Sequence, residues 1–439
     1  MTEAQRLIPA CDPPLADTLR LLMPCAHTTL LLQAALLQDD AVGKAWSQWR
    51  QVITDPKAFL ASDRVGIKRH LPLLYRNLVS CGVDLGRDLE PYFRAARARE
   101  EMRSARYRRY LGEAIGALQH SGVDFIVGKG VTVGETIHAD PVLRHSHDID
   151  LLVRSENLSA AAGALCRAGF LPSETRGPQI EPRFDHESGL PVELHDRLYR
   201  TPFYDGDLAG TWSRAREGEI LGMPVRLIGD ADLLVQAPVH ASAVYQRQGL
   251  SWIVDVVSLL RRRESEGAAI DWTAVTRIAI DAHAALPLYV MYRYLATTFN
   301  ASIPAQVIGE LRRSAARCGP LQHLAALDGL RADPQQRRIK SLLEHSGWSS
   351  RAAIARAMLL PPPAYFRARH PEASSLSLTL MYFKRPLRFI VRQVNRFQFR
   401  LRQRWLPSKL TGSQPAVVAA SAAGSTSPHL DSSSTTGGH

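Results

Sequence analysis

One stretch, Phe125 to Val153 (FIVGKGVTVGETIHADPVLRHSHDIDLLV), limits most tightly what this chain can fold into. A short apolar run, Phe125-Ile126-Val127, enters the turn Gly128-Lys129-Gly130. A helix-like segment and a charged loop follow, and Asp148-Ile149-Asp150 then opens a second apolar run. Successive side chains on a strand point to opposite faces. Asp148 and Asp150 therefore share one face, and Ile149, Leu151 and Val153 share the other. Two carboxylates on one strand face suit a hard divalent cation. A glycine-bounded turn at a helix start suits phosphate, because backbone N–H groups and the positive end of the helix dipole meet there.

Chain length and charge bound the rest. At 439 residues the chain can bury a substantial core and divide into two or three domains. No apolar run approaches the length of a membrane span, and the N-terminus lacks the basic-then-apolar order of a secretory signal. Five cysteines (Cys11, Cys25, Cys81, Cys166, Cys318) lie scattered, with no C-x-x-C, which fits a reducing compartment and a cytoplasmic location. The net charge of +12 is uneven: residues 384–404 carry eight basic residues and no acidic one. The basicity is thus largely local, and it argues against nucleic-acid binding by the body of the protein.

Apolar spacing predicts helices on both sides of the central stretch. The pattern from Thr28 through Trp46, Trp49 and Val52 is helical until Asp55-Pro56. Helices are expected over 65–80 and 89–120, the second ending at Gly122. Its arginines, from Arg94 to Arg109, read best as a solvated helix face. Ser155 is a plausible N-cap for a helix over 156–168, closed by Gly169. Residues 217–228 read as a hairpin. Helices are expected again over 231–245, 251–263, 272–282, 285–299 and 304–318. The resulting division is a helical region over 1–120, a core over 121–229 and a second helical domain over 230–360. A Pro-marked connection with a basic amphipathic helix follows over 361–406, then a disordered tail over 407–439. The basic helix either lies on a membrane surface through residues 384–404 or packs on the body with its arginines in solvent.

A third carboxylate completes the central motif. In Val192-Glu193-Leu194-His195 the alternation puts Glu193 and His195 on one face. Phosphoryl and nucleotidyl transfer commonly use two metal ions about 3.5–4 Å apart, and three converging carboxylates can hold them. His195 either reaches that site or is a structural histidine. His145 and His147 read as a polar loop rather than a metal cluster. Arg144 could clamp a triphosphate or pair with Asp148 or Glu193. Trp252 and Asp255 read as a buried Trp beside an Asp that bonds across a domain interface.

In this order and spacing, the chain resembles the bacterial uncharacterised nucleotidyltransferase family of the DNA polymerase β-like superfamily. The residues carrying the resemblance are Lys129-Gly130, Arg144, Asp148-Ile149-Asp150-Leu151-Leu152-Val153, Val192-Glu193-Leu194-His195, His240-Ala241 and Trp252 with Asp255. It covers roughly residues 28–320. It implies an α+β fold, in which a small mixed β-sheet core is flanked by N- and C-terminal helical regions. It implies transfer of a nucleoside monophosphate from an NTP to an acceptor hydroxyl or phosphate, with two Mg2+ ions or Mn2+ in their place. Asp148, Asp150 and Glu193 would be the catalytic metal ligands, with His195 auxiliary. Gly128, Lys129, Gly130 and Arg144 would bind the nucleotide. The expected acceptor is a small molecule or peptide, including saccharide natural products. The competing expectation is a catalytically degenerate accessory protein that binds a nucleotide or a peptide, peripheral to a membrane.

Overall fold

A computed structural model describes residues 23–61, 66–173, 183–186, 190–199, 206–243 and 249–317, together with residues 19, 204, 374, 377, 379–382 and 384. All but Lys384 belong to the first of two compact units, residues 1–382. The expected amphipathic helix over 384–404 and tail over 407–439 lie outside the described residues. No helix among the described residues is long and apolar enough to cross a membrane.

The chain begins with helices α1 (Ala26–Leu36), α2 (Asp40–Val52), α3 (Pro56–Ala61) and α4 (Leu71–Ser80). The pattern from Thr28 to Val52 is therefore two helices, separated where Asp39 takes a positive φ of 52°. The helix expected over 65–80 is likewise shorter: a 3-10 turn, Ile67–His70, precedes α4, whose second residue is Pro72. Proline fits this first turn because its missing N–H would have had no partner there.

Helix α5 (Gly86–His120) runs for 35 residues, about 50 Å. Four of its eight arginines form ion pairs along its own surface: Arg94–Glu90, Arg97–Glu101, Arg103–Glu100 and Arg109–Glu113. It stops at Gly122, whose φ of 65° lets the chain reverse. The amides of Gly122 and Val123 bond back to the carbonyls of Gln119 and Leu118, closing a Schellman motif. That reversal aims the chain into β1 (Phe125–Val127), so α5 lies against the strand it feeds.

The remaining core elements are the short helix α6 (Lys129–Thr132) with a π turn over Val133–Ile137, β2 (Ile149–Val153), α7 (Leu158–Arg167), β3 (Leu171–Pro172), β4 (Arg183–Asp185), β5 (Val192–His195), α8 (Leu208–Arg214), β6 (Arg216–Ile220) and β7 (Met223–Leu227). Ser155 does not cap a helix. It opens a 3-10 turn, α7 starts at Leu158, and the Ser155 hydroxyl meets Asp196 instead. The β6–β7 hairpin turns on Leu221 and Gly222, both at positive φ, as a tight two-residue hairpin requires.

The seven strands form one mixed sheet in the order β3-β4-β5-β2-β1-β7-β6. β1 and β2 are antiparallel, whereas β2–β5 and β1–β7 are parallel. Strand alternation splits the core in two. Phe125, Val127, Ile149, Leu151 and Val153 pack with Tyr107, Leu111, Ile115 and Leu118 of α5 and with α7. Ile126 and Leu152, on the opposite face, belong to the larger core of the helical body. That body adds α9 (Asp230–Ala243), α10 (Ser251–Ser265), α11 (Trp272–Asp281), α12 (Ala285–Phe299) and α13 (Ala305–Ala316). Its core also takes in α1, α2 and α4, so helices from both ends of the sequence share one apolar interior. The fold is α+β: a mixed sheet with flanking helices.

His70 sits inside this interior, 1% exposed, with neither ring nitrogen hydrogen-bonded. Burial first, and then the positive charge of Arg144, lower its pKa to about 3. Below the ordinary histidine range the unfolded chain takes up a proton that folded His70 refuses, so the unfolded state gains as pH falls. We expect stability to drop between neutral pH and about pH 4, by up to about 1.4 kcal/mol per pH unit from this group. Urea denaturation across that range should show a shallower pH dependence for His70→Leu than for the wild-type chain.

Candidate active site

The site grows out of the register between β2 and β5. Asp150 pairs directly with Glu193 across the parallel ladder, and Leu152 pairs with His195. Residues two apart on a strand share a face. Asp150, Glu193 and His195 therefore project together on the face away from α7 and the second half of α5. Their ligand atoms all lie within 4.8 Å of one another, the one such group of three among the described residues. His195 Nε2 stands 3.0 Å from Asp150 Oδ1. Arg183 Nη1 from β4 approaches Glu193 Oε1 at 3.7 Å.

Asp148 lies just before β2, outside that group of three. Its carboxylate meets His147 Nε2 at 3.3 Å, and its carbonyl accepts the Tyr107 hydroxyl at 3.1 Å. Burial, and then the negative charge of Asp150, push its pKa up to about 7. Asp150 goes the other way. Burial alone would raise it, but Lys129 and the hydrogen bond from His195 outweigh burial and hold it well below the usual carboxylate range. The two carboxyls thus split into one permanently charged group and one that takes a proton easily, as expected when like charges crowd a half-buried site.

The Gly-Lys-Gly turn touches Asp150. Lys129 Nζ lies 3.2 Å from Asp150 Oδ2. The Gly128 amide donates to the Asp150 carbonyl at 2.9 Å. A Cβ on Gly128 would stand 2.7 Å from the Asp150 Cβ and 2.8 Å from its carbonyl oxygen, so only glycine fits. A Cβ on Gly130 would meet the Arg144 guanidinium at 3.3 Å. The glycines let the turn lie directly on the strand that carries the carboxylate.

Arg144 spends its donors inside the protein. Nε and Nη2 bond both oxygens of Asp255 on α10, at 3.2 and 3.0 Å, and Nη1 bonds the His145 carbonyl and the Ser146 hydroxyl. Its ion-pair partner is thus Asp255 rather than Asp148 or Glu193. The arrangement fastens the loop before β2 to the helical body, and Asp255 bonds across to the core. Trp252 is buried beside it on α10.

Sequence reasoning missed Glu100. It is buried on α5, accepts from Arg103, and holds His145 Nδ1 at 2.9 Å. Its signal was present: Phe93, Ala96, Glu100, Ser104, Tyr107 and Leu111 follow at three- and four-residue spacing, so two polar residues interrupt an apolar stripe. His145 is therefore held in a polar loop, as its spacing suggested.

The site is thus a mixed sheet carrying in-register acidic residues on neighbouring parallel strands beside a glycine turn. The family model described as uncharacterised nucleotidyltransferase matches residues 67–300, more than half of the chain, and the chain belongs to this family. Membership supports a nucleotidyl transfer activity. No curated protein and no solved structure matches the chain.

The family implies divalent metal, and the donor set fits one. Ligand atoms at about 2.1 Å from a common ion lie roughly 3–4 Å apart, so the spacing of Asp150, Glu193 and His195 needs only small side-chain adjustments.

Two substitutions test how the site is held. Arg144 and Asp255 are 7% and 3% exposed, and removing one partner strands a buried charge. Asp255→Ala should cost about 3–5 kcal/mol in denaturant unfolding, and Arg144→Met combined with Asp255→Leu should recover much of it. Gly128→Ala forces a methyl against backbone and should cost about 1–3 kcal/mol. Calorimetric titration should show weaker divalent-metal binding in the same variant, because Asp150 must shift.

Proposed function

We propose that the protein is a Mg2+-dependent nucleotidyltransferase that moves a nucleoside monophosphate from an NTP to a hydroxyl or phosphate of an acceptor, a peptide or saccharide natural product. The observation that carries this reading is the pairing of Asp150 with Glu193 across parallel strands, within a chain of this family. Asp148 and Asp150 would hold two Mg2+ ions, and Glu193 would hold the second. When bound, the ions neutralise the triphosphate and make the acceptor hydroxyl a better nucleophile.

The chain's own residues do the rest. Gly128, Lys129 and Gly130 receive the triphosphate, with backbone N–H groups at the start of α6 and the Lys129 ammonium as a point charge. Lys129 Nζ also pairs with Asp150 Oδ2 at 3.2 Å. Arg144 supports the turn from behind through its packing on Gly130. Glu193 orients the acceptor and takes its proton. The acceptor oxygen bonds the α-phosphorus, the bridge to the β-phosphate breaks, and pyrophosphate leaves with the electron pair.

The test uses the full chain with α-32P-labelled NTPs and Mg2+. The expected result is label transfer to the protein itself or to a peptide or saccharide acceptor, abolished in the Asp148→Asn/Asp150→Asn double variant. Full activity in that variant would sink the metal assignment. ATP binding that persists without metal and survives Asp150→Ala would instead favour a degenerate binding protein.

A further inference from the structure

The acidic face has two chemically unlike ends. At the start of β2 it offers the carboxylates of Asp148 and Asp150, with the half-exposed ring of His147 3.3 Å from Asp148. Toward β5 it offers Asp150, Glu193 and the imidazole of His195. Asp150 stands between the two. Mg2+ sheds water reluctantly and favours oxygen ligands, with carboxylates and substrate phosphates its usual partners. Imidazole suits first-row transition metals such as iron, cobalt, nickel and zinc. A histidine among the ligands therefore changes which ion is preferred.

We propose that His195 is a metal ligand, and that Asp150, Glu193 and His195 form a position selective for a first-row transition-metal ion over Mg2+. The position on Asp148 and Asp150 takes Mg2+ with the triphosphate. This rests on the reading of the acidic face as a metal site, and it replaces the second of the two Mg2+ ions in that reading with a transition-metal ion.

The geometry supports a ligand role for the ring. His195 lies two residues beyond Glu193 on the same strand, so it shares the Glu193 face without any distortion of β5. Its Nε2 reaches back across the ladder to Asp150 rather than outward to solvent, and its side chain is only 18% exposed. The 3.0 Å between Nε2 and Asp150 Oδ1 is a hydrogen-bond distance. It is also the spacing that two adjacent ligands adopt around one small divalent ion, roughly 3 Å for bonds of about 2.1 Å at right angles. A neutral ring with its hydrogen on Nδ1 turns the same nitrogen from donor into ligand without a change of rotamer. Glu193 is buried and already in register with Asp150, so the other two members of the set are positioned by the sheet itself.

Co2+ is the probe, because its visible spectrum reports nitrogen ligation and coordination number directly. The full chain is titrated with Co2+ in the presence and absence of excess Mg2+, followed by absorption and calorimetry. His195→Ala and His195→Gln are compared, with thermal unfolding confirming that each variant is folded. Glutamine keeps a polar group near Asp150 but offers a hard oxygen in place of nitrogen. The expected result is one Co2+ per chain that excess Mg2+ does not displace. In both variants the ratio of Co2+ to Mg2+ affinity should fall by at least the roughly 10- to 100-fold that loss of even an outer-sphere partner costs. An unchanged ratio in both folded variants would overturn the proposal and make His195 a simple hydrogen-bond partner of Asp150, leaving the nucleotidyltransferase reading intact. Failure of both ions to bind the wild-type chain would overturn this proposal and the metal site together.

Discussion

The contact between Arg144 and Asp255 holds the working parts of this protein in one frame. Its two halves are 111 residues apart in sequence and almost fully buried. A buried ion pair is costly to desolvate and is maintained only where its hydrogen bonds are complete. Here they are: the planar guanidinium meets both carboxylate oxygens, and its remaining donors hold the His145 carbonyl and Ser146. Arginine suits this position because its fork presents several donors in fixed directions, which a lysine does not. The loop that delivers Asp148 and Asp150 is thereby tied to α10, and through α10 to the apolar interior of the helical body. Gly130 completes the arrangement by leaving room for the guanidinium.

On this frame the sheet sets out the chemistry. β2 and β5 bring Asp150 opposite Glu193 at a common register, and strand alternation sends their apolar neighbours to the other face. The same face gathers basic side chains to match. Lys129 and His195 both contact Asp150, and Arg183 approaches Glu193. The Lys129 charge and the His195 hydrogen bond keep Asp150 ionised where burial would otherwise protonate it. Asp148, one pleat away, has no such pair of partners in contact, and its carboxyl rises to about 7. The division of labour between two neighbouring aspartates thus follows from which of them faces Lys129 and His195.

Much of this was legible in the chain because it depends on local spacing. Period-two alternation placed Asp148 with Asp150 and Glu193 with His195, and turn chemistry located the end of α5 at Gly122 and that of α7 at Gly169. The start of α4 was marked by Pro72, which suits a first turn. The stop at Asp39 was not legible, because nothing beside it in sequence signals the positive φ that this residue adopts. Ser155 failed as a cap because its hydroxyl found Asp196, the residue just after β5.

By itself, the sequence determined the polar strand faces, the glycine turn and the order of elements, because each is written in residues a few positions apart. It also carried enough of the motif for the family to be identified. The tertiary structure decided three further points. Arg144 turned to Asp255 rather than to Asp148 or Glu193. Glu100, an interruption in an apolar stripe, became the partner of His145. The closest group of ligand atoms became Asp150, Glu193 and His195, with Asp148 outside it. Each of these joins residues 43 or more positions apart, or turns on ångström differences between neighbouring carboxylates. Strand register and the packing of α5 and α10 set such distances, and no local pattern encodes them.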